Sequence, residues 1–229
     1  AGIAQIFGTM FLIMALRDRG FVVGTAFSKT EALQAAAVSA LLLGERLNLV
    51  IWGGILLGIA GVFILSIGDR RLGPRDLFAA LGQPAALFGL GSGALFALTG
   101  VLVRRATQEL GDLEGIAAAL LSLVFVMIIQ TVLHGLYIAL REPATWLAMF
   151  RTWRASAMVG LLAAVGSACW FTGFATAPVA LVRIVGQVEV LFTFLFAVFY
   201  LREPIRPHEA SALLFIAAGV VVALAGSLR

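Results

Sequence analysis

Apolar runs of about twenty residues recur along the chain, separated by short clusters of charge, proline and glycine. The runs cover residues 1–16, 20–43, 49–68, 80–103, 115–140, 156–175, 178–201 and 208–227. The breaks between them include Arg17-Asp18-Arg19-Gly20, Gly44-Glu45-Arg46-Leu47-Asn48, 69–76, 104–114, 141–154, Ala177-Pro178 and Arg202-Glu203-Pro204. A helix needs about 20 apolar residues to cross a hydrocarbon layer about 30 Å thick, so each run has the length of a transmembrane helix. Runs such as 191–201 lack the alternation of polar and apolar positions that barrel strands show, and an unclosed strand in lipid would strand its backbone polar groups. The pattern predicts an all-α integral membrane protein with about eight transmembrane helices.

Composition agrees with this reading. The 229 residues are 62% hydrophobic and 12% charged, with a mean hydropathy of +1.06; a soluble domain carries about 25% charged residues. The bilayer is therefore the expected solvent and partner. The pI of about 10.2 comes from 16 basic residues, of which only Lys29 is a lysine, and most of them sit between the apolar runs. There they act as interfacial anchors, and no nucleic-acid surface is expected. Cys169, the sole cysteine, lies inside an apolar run, which excludes an internal disulfide or a cysteine metal cluster. No cofactor is expected. The chain begins at Ala1 inside an apolar run, with no positive region or cleavage site of a signal peptide, and is read as truncated at its N-terminus.

Sliding the chain along itself uncovers a repeat at an offset of 158, the separation of Glu31 from Glu189. Gly8 then matches Gly166, Leu43 and Glu45 match Leu201 and Glu203, and Ala60-Gly61-Val62 matches Ala218-Gly219-Val220. Two further helices, within 80–140, precede the second copy and have no partner in the first. A complete first copy would hold about two more helices upstream, an expected ten in two repeats of five. An odd number per repeat makes successive copies enter the membrane from opposite sides. Such inverted-topology repeats build a binding site near the bilayer midplane.

The stretch Leu41-Leu42-Leu43-Gly44-Glu45-Arg46-Leu47 followed by Ile59-Ala60-Gly61-Val62 resembles the EamA-type half of the drug/metabolite transporter superfamily. The second copy keeps Glu203 and Gly219-Val220 but has Arg202 in place of Gly44 and Pro204 in place of Arg46. The resemblance implies the C-terminal part of a first EamA-type repeat over residues 1–72 and a second repeat over 73–229. It also implies a ten-helix carrier that moves small metabolites such as amino acids or nucleobases, as an exporter, by alternating access. The expected location is the plasma membrane, the inner membrane of a bacterium. Orientation has two opposed readings: arginine-rich loops at 17–19, 70–75, 141–154 and 202–206 place the C-terminus outside, whereas the resemblance places it in the cytoplasm.

Four charges fall within the spans: Lys29, Glu31, Arg183 and Glu189. A charge at mid-membrane costs a few kcal/mol, so such residues face a bundle interior, a partner or water. Lys29 and Glu31 are two apart, on opposite sides of a continuous helix, and so are Gln187 and Glu189. Partners must then come from another helix, with Lys29 reaching Glu189 and Glu31 facing Gln187 or Arg183. These residues either contact a substrate and couple its movement to protons, or form fixed ion pairs between the halves. Arg183 lies nearer its helix start, where a long side chain can snorkel to the interface. Glu45 and Glu203 read as interfacial caps or bridges to a nearby arginine. Trp170, Phe171 and Phe174 either line an aromatic-tolerant cavity or pack. Gln130 and His134 share a helix face, as a local polar patch or as the source of an interhelical hydrogen bond, with packing or interfacial placement the plainer reading.

With two histidines and no His-Glu-x-x-His or Gly-x-Ser-x-Gly motif, an intramembrane enzyme has little support. A channel would show a selectivity ring or re-entrant loop, and a scaffold that has lost transport stands as the other alternative.

Overall fold

The computed structural model describes residues 1–17, 21–67, 81–111, 113–200, 202 and 207–228. The Asp18-Arg19-Gly20 break, the 69–76 loop, Glu203, Pro204 and Arg229 lie outside the described residues. Eleven helices and no strands are found among the described residues. In order they are α1 (Gly2–Ala15), α2 (Phe21–Ser28), α3 (Glu31–Leu43), α4 (Leu49–Ile67), α5 (Pro84–Glu109), α6 (Gly115–Arg141), α7 (Pro143–Arg151), α8 (Trp153–Thr176), α9 (Val179–Gly186), α10 (Val188–Phe199) and α11 (Pro207–Ser227). Among the described residues, five spans are long and apolar enough to cross a membrane: Pro84–Glu109, Gly115–Arg141, Trp153–Thr176, Val179–Phe196 and Pro207–Ser227. Gly2–Ala15 and Leu49–Leu65 are shorter apolar helices.

Two of the expected continuous helices are interrupted. Residues 20–43 form α2 and α3 around a turn at Lys29-Thr30, and 178–201 form α9 and α10 around Gln187. At the first break, Ser28 Oγ donates to the Thr25 carbonyl at 2.9 Å and Thr30 Oγ1 to the Phe27 carbonyl at 2.7 Å. Hydroxyls that bond back one turn compete with the helical ladder and favour its interruption. The expected loop at 141–154 contains a further short helix, α7, which starts at Pro143 where proline's missing N–H costs nothing.

Element boundaries recur at the offset read from the sequence. Shifted by 158, α2 falls on α9 and the start of α4 on the start of α11. The α3 cap Gly44 has φ +66°, and Arg202, its counterpart, has φ +57°. Both positions thus take a left-handed backbone, which glycine tolerates best.

Among the described residues, the most extensive helix contact is that of α4 and α11. A Cβ added at Gly219 would lie 2.5 Å from the Gly58 nitrogen and 2.7 Å from the Gly54 carbonyl. One added at Gly61 would lie 2.7 Å from the Ala212 carbonyl and 2.8 Å from the Ile216 nitrogen. The contact is reciprocal: 61 and 219 correspond, and 54 and 58 correspond to 212 and 216. Small residues let the backbones approach where lipid supplies no hydrophobic drive for association.

Helix α5 packs against α1, α2 and α3, α6 against α8, and α9 against α3 and α11. The interior is built largely of small side chains. Ala35, Ala97, Ala119, Phe171, Phe174 and Val179 form one cluster, and Ala32, Ala36, Ile55, Ala180, Ile184 and Ala223 another. Large apolar side chains such as Phe125, Ile128, Leu136, Leu161 and Phe196 point outward, as lipid contact requires.

Candidate functional site

The two interruptions face one cavity of about 260 Å³, lined by Lys29, Glu31, Phe96, Trp170, Arg183 and Gln187 among others. Breaking a helix exposes backbone ends and frees side chains at the break to turn inward. Non-helical backbone at this depth is tolerated where it lines a cavity.

Lys29 Nζ forms an ion pair with Glu189, joining the α2–α3 turn to the first turn of α10. Because Lys29 sits in a turn and Glu31 opens a new helix, the opposite-sides geometry expected of a continuous helix does not apply. Glu31 Oε1 lies 3.5 Å from Arg183 Nη1. The two pairs differ in environment: Lys29 and Glu189 side chains are 27% and 54% exposed, against 10% and 17% for Arg183 and Glu31. The second pair is the more buried of the two. Both glutamates lie in the first turn of a helix, where the backbone dipole favours a negative charge.

Arg183 does not reach the interface. Its guanidinium carbon lies 4.9 Å from the Trp170 ring centre, 5.0 Å from that of Phe174 and 5.9 Å from that of Phe96. Its Nη2 donates to the Phe96 carbonyl at 2.8 Å. A weakly hydrated planar cation stacks well on aromatic faces, and three of them together hold this arginine in the interior. Trp170 is itself fixed by glycine: a Cβ on Gly186 would lie 2.1 Å from the indole. Phe171 and Phe174 line the same cavity.

Gln187 is 4% exposed, and neither of its amide atoms has a hydrogen-bond partner. Of the two partners expected for Glu31, Gln187 and Arg183, it meets Arg183.

Glu45, at the end of α3, is ion-paired with Arg104 of α5 and accepts a hydrogen bond from the Val179 N–H at 3.3 Å. Arg104 Nη1 donates to the Phe174 and Ala177 carbonyls at 3.0 and 2.9 Å. The pair ties α3 and α5 to the α8–α9 connection. The arginine bridge expected of Glu45 is present, and the expected break at 104–114 begins later, since α5 continues to Glu109 and carries Arg104 within it.

Gln130 makes an interhelical hydrogen bond, the second of the two expected arrangements. It bonds to the Gln5 side chain at 3.1 Å and the Gly2 carbonyl at 3.3 Å, while His134 is exposed. Gln5, Thr99 and Ser167 also line the cavity and were not singled out from the sequence; as lone polar residues in apolar helices, they were the available signal. No cluster of metal-ligating side chains occurs among the described residues.

Fold and composition together define a multi-pass helical membrane protein with a charged, aromatic-lined interior cavity. Residues 83–225 match the EamA-like transporter family, well over half of the chain. The chain belongs to the EamA-like transporter family, part of the drug/metabolite transporter superfamily. No curated protein matches it. A crystal structure of a protein 21% identical superposes with a TM-score of 0.70, covering 97% of this chain and 75% of that one, which shows a shared fold.

Proposed function

We propose that the chain is a secondary transporter that exports small metabolites, such as amino acids or nucleobases, by alternating access around this cavity. The observation that carries the reading is the placement of the cavity between two interrupted helices, with two ion pairs spanning the breaks. Two cations face two carboxylates, so the site is neutral. A substrate with a lone net charge would leave one group uncompensated, whereas a neutral or zwitterionic molecule can exchange partners with them. The volume lies just below the usual range for ligand pockets, about 300–1,000 Å³, which suits molecules of amino-acid or nucleobase size. Glu189, half exposed beside Lys29, is the acid through which protons would couple to transport.

The proposed architecture is about eight membrane crossings of a ten-helix, inverted-repeat carrier. The reciprocal α4–α11 contact supports a two-fold relation between copies. So does an asymmetry: Gly8 of α1 packs on Leu95 and Phe96 of α5, while its counterpart Gly166 has nothing within 4 Å. A counterpart of α5 would cover that open face. The proposed location is the inner membrane of a bacterium.

The experiment is flux in proteoliposomes carrying the full-length protein, with labelled amino acids and nucleobases and an imposed proton gradient. Gradient-driven flux of a neutral or zwitterionic solute above that of empty liposomes supports the reading; flux that runs at channel rates without a gradient sinks it.

A further inference from the structure

Each contact between the interrupted helices has a counterpart at the repeat offset. Lys29 corresponds to Gln187, Glu31 to Glu189 and Thr25 to Arg183. The Lys29–Glu189 contact therefore maps onto Gln187–Glu31, and the Glu31–Arg183 contact onto Glu189–Thr25. Arg183 and Gln187 are four residues apart, neighbours along one helix face, and so are Thr25 and Lys29. Each glutamate thus has two prospective seats one turn apart on the opposing helix.

The structure fills these seats unequally. Glu189 sits at Lys29, the seat nearer the break, whereas Glu31 sits at Arg183, the seat farther from its break. The seat nearer the second break, Gln187, is buried with both amide atoms unpartnered. A buried amide left unpaired is costly and rare in a resting arrangement. Gln187 and Glu31 line the same cavity.

We propose that Glu31 moves from Arg183 to Gln187, as Glu189 moves from Lys29 to Thr25, when the protein passes to its oppositely facing state. The inference rests on reading the cavity as an alternating-access site. The displacement is one helical turn, about 5.4 Å, a step that packed helices make between two discrete arrangements. Arg183 keeps the Phe96 carbonyl and three aromatic faces after Glu31 leaves. Lys29, already part-exposed, turns to the cavity water. Both cations are then open to the negative group of a substrate, and the half-cycle in which they are free is the one in which it binds.

Cysteine labelling in vesicles of opposite orientation tests this on the full-length protein. Ser167, which lines the cavity, is replaced by cysteine in a Cys169→Ser background, and a membrane-impermeant maleimide reports the side from which it is reached. Lys29→Gln weakens the observed state and Gln187→Lys strengthens the other. Both should move the ratio of labelling between sides in the same direction, by about fivefold, as expected of a part-exposed ion pair. The Lys29→Gln/Gln187→Lys double variant should move it further. Gln187→Leu, which removes the seat while filling its space with an apolar side chain, should move the ratio the opposite way. An unchanged ratio in folded variants, shifts of opposite sign for Lys29→Gln and Gln187→Lys, or no labelling from either side would each overturn the exchange. Flux with fixed sidedness defeats the exchange alone; shifting sidedness without any flux defeats the transport reading alone.

Discussion

Replacing Gly219 by alanine tests the helix crossing that joins the two halves. The added Cβ would lie 2.5 Å from the Gly58 nitrogen and 2.8 Å from its Cα, both backbone atoms. No rotamer change can relieve a clash with backbone, so α4 and α11 must separate by nearly 1 Å to reach ordinary contact. Overpacking of this kind costs about 1–3 kcal/mol. Alanine gains up to about 1 kcal/mol of helix propensity over glycine, which leaves a net loss of up to about 2 kcal/mol. At about 2–4 °C per kcal/mol for a chain of this size, the melting midpoint in detergent should fall by up to about 8 °C. The counterpart Gly61→Ala meets backbone at 2.7 and 2.8 Å and should cost a similar amount. Both substitutions force the same two helices apart, so the double variant should lose less than the sum. Gly53, in the same helix, has nothing within 4 Å, and Gly53→Ala should hold or raise the midpoint. The assay is thermal unfolding of purified protein followed by circular dichroism. A Gly219→Ala protein as stable as the Gly53→Ala protein, or strict additivity of Gly61→Ala and Gly219→Ala, would refute the reasoning.

Three further outcomes are expected. Arg202→Gly should raise stability by about 0.5–1 kcal/mol, since the left-handed backbone there disfavours a side chain; an unfolding titration reads it. Arg183→Met, which leaves the largely buried Glu31 without its cation, should destabilise by up to about 3–5 kcal/mol, and adding Glu31→Gln should recover part of the loss in the same titration. Glu45→Gln should lower the midpoint by weakening both the Arg104 pair and the Val179 cap, whereas Glu109→Gln, whose pair with Arg105 is largely exposed, should change it little.

Much of the helix layout was legible because period and length report directly on burial in lipid. The run at 115–140 became α6 (Gly115–Arg141), and 208–227 became α11 (Pro207–Ser227). The interruptions were not legible. The polar stretch Ser28-Lys29-Thr30-Glu31 reads as side chains on one continuous helix between apolar flanks, and the cause of the break lies in Ser28 and Thr30 hydroxyls that read as ordinary small polar residues. Lys29 and Glu189 could be paired in advance because the repeat offset sets them on corresponding helices. Arg183 could not be placed, since what holds it inside is three rings from α5 and α8, residues that look like packing in any one helix. Arg104 was missed for a related reason: the charge pair at 104–105 marks a helix end by pattern, yet α5 runs on past it, and the buried partner Glu45 comes from another element.

The central claim is that the cavity acids serve transport and not only cohesion. The most direct measurement is gradient-driven flux per folded molecule for Glu189→Gln and, separately, Glu31→Gln, in proteoliposomes of the full-length protein. The account predicts that each substitution reduces that flux to the level of empty liposomes while the fraction of folded protein stays near that of the parent. Flux per folded molecule equal to the parent's in both variants, with only the melting midpoint lowered, would contradict it and leave the two ion pairs as struts.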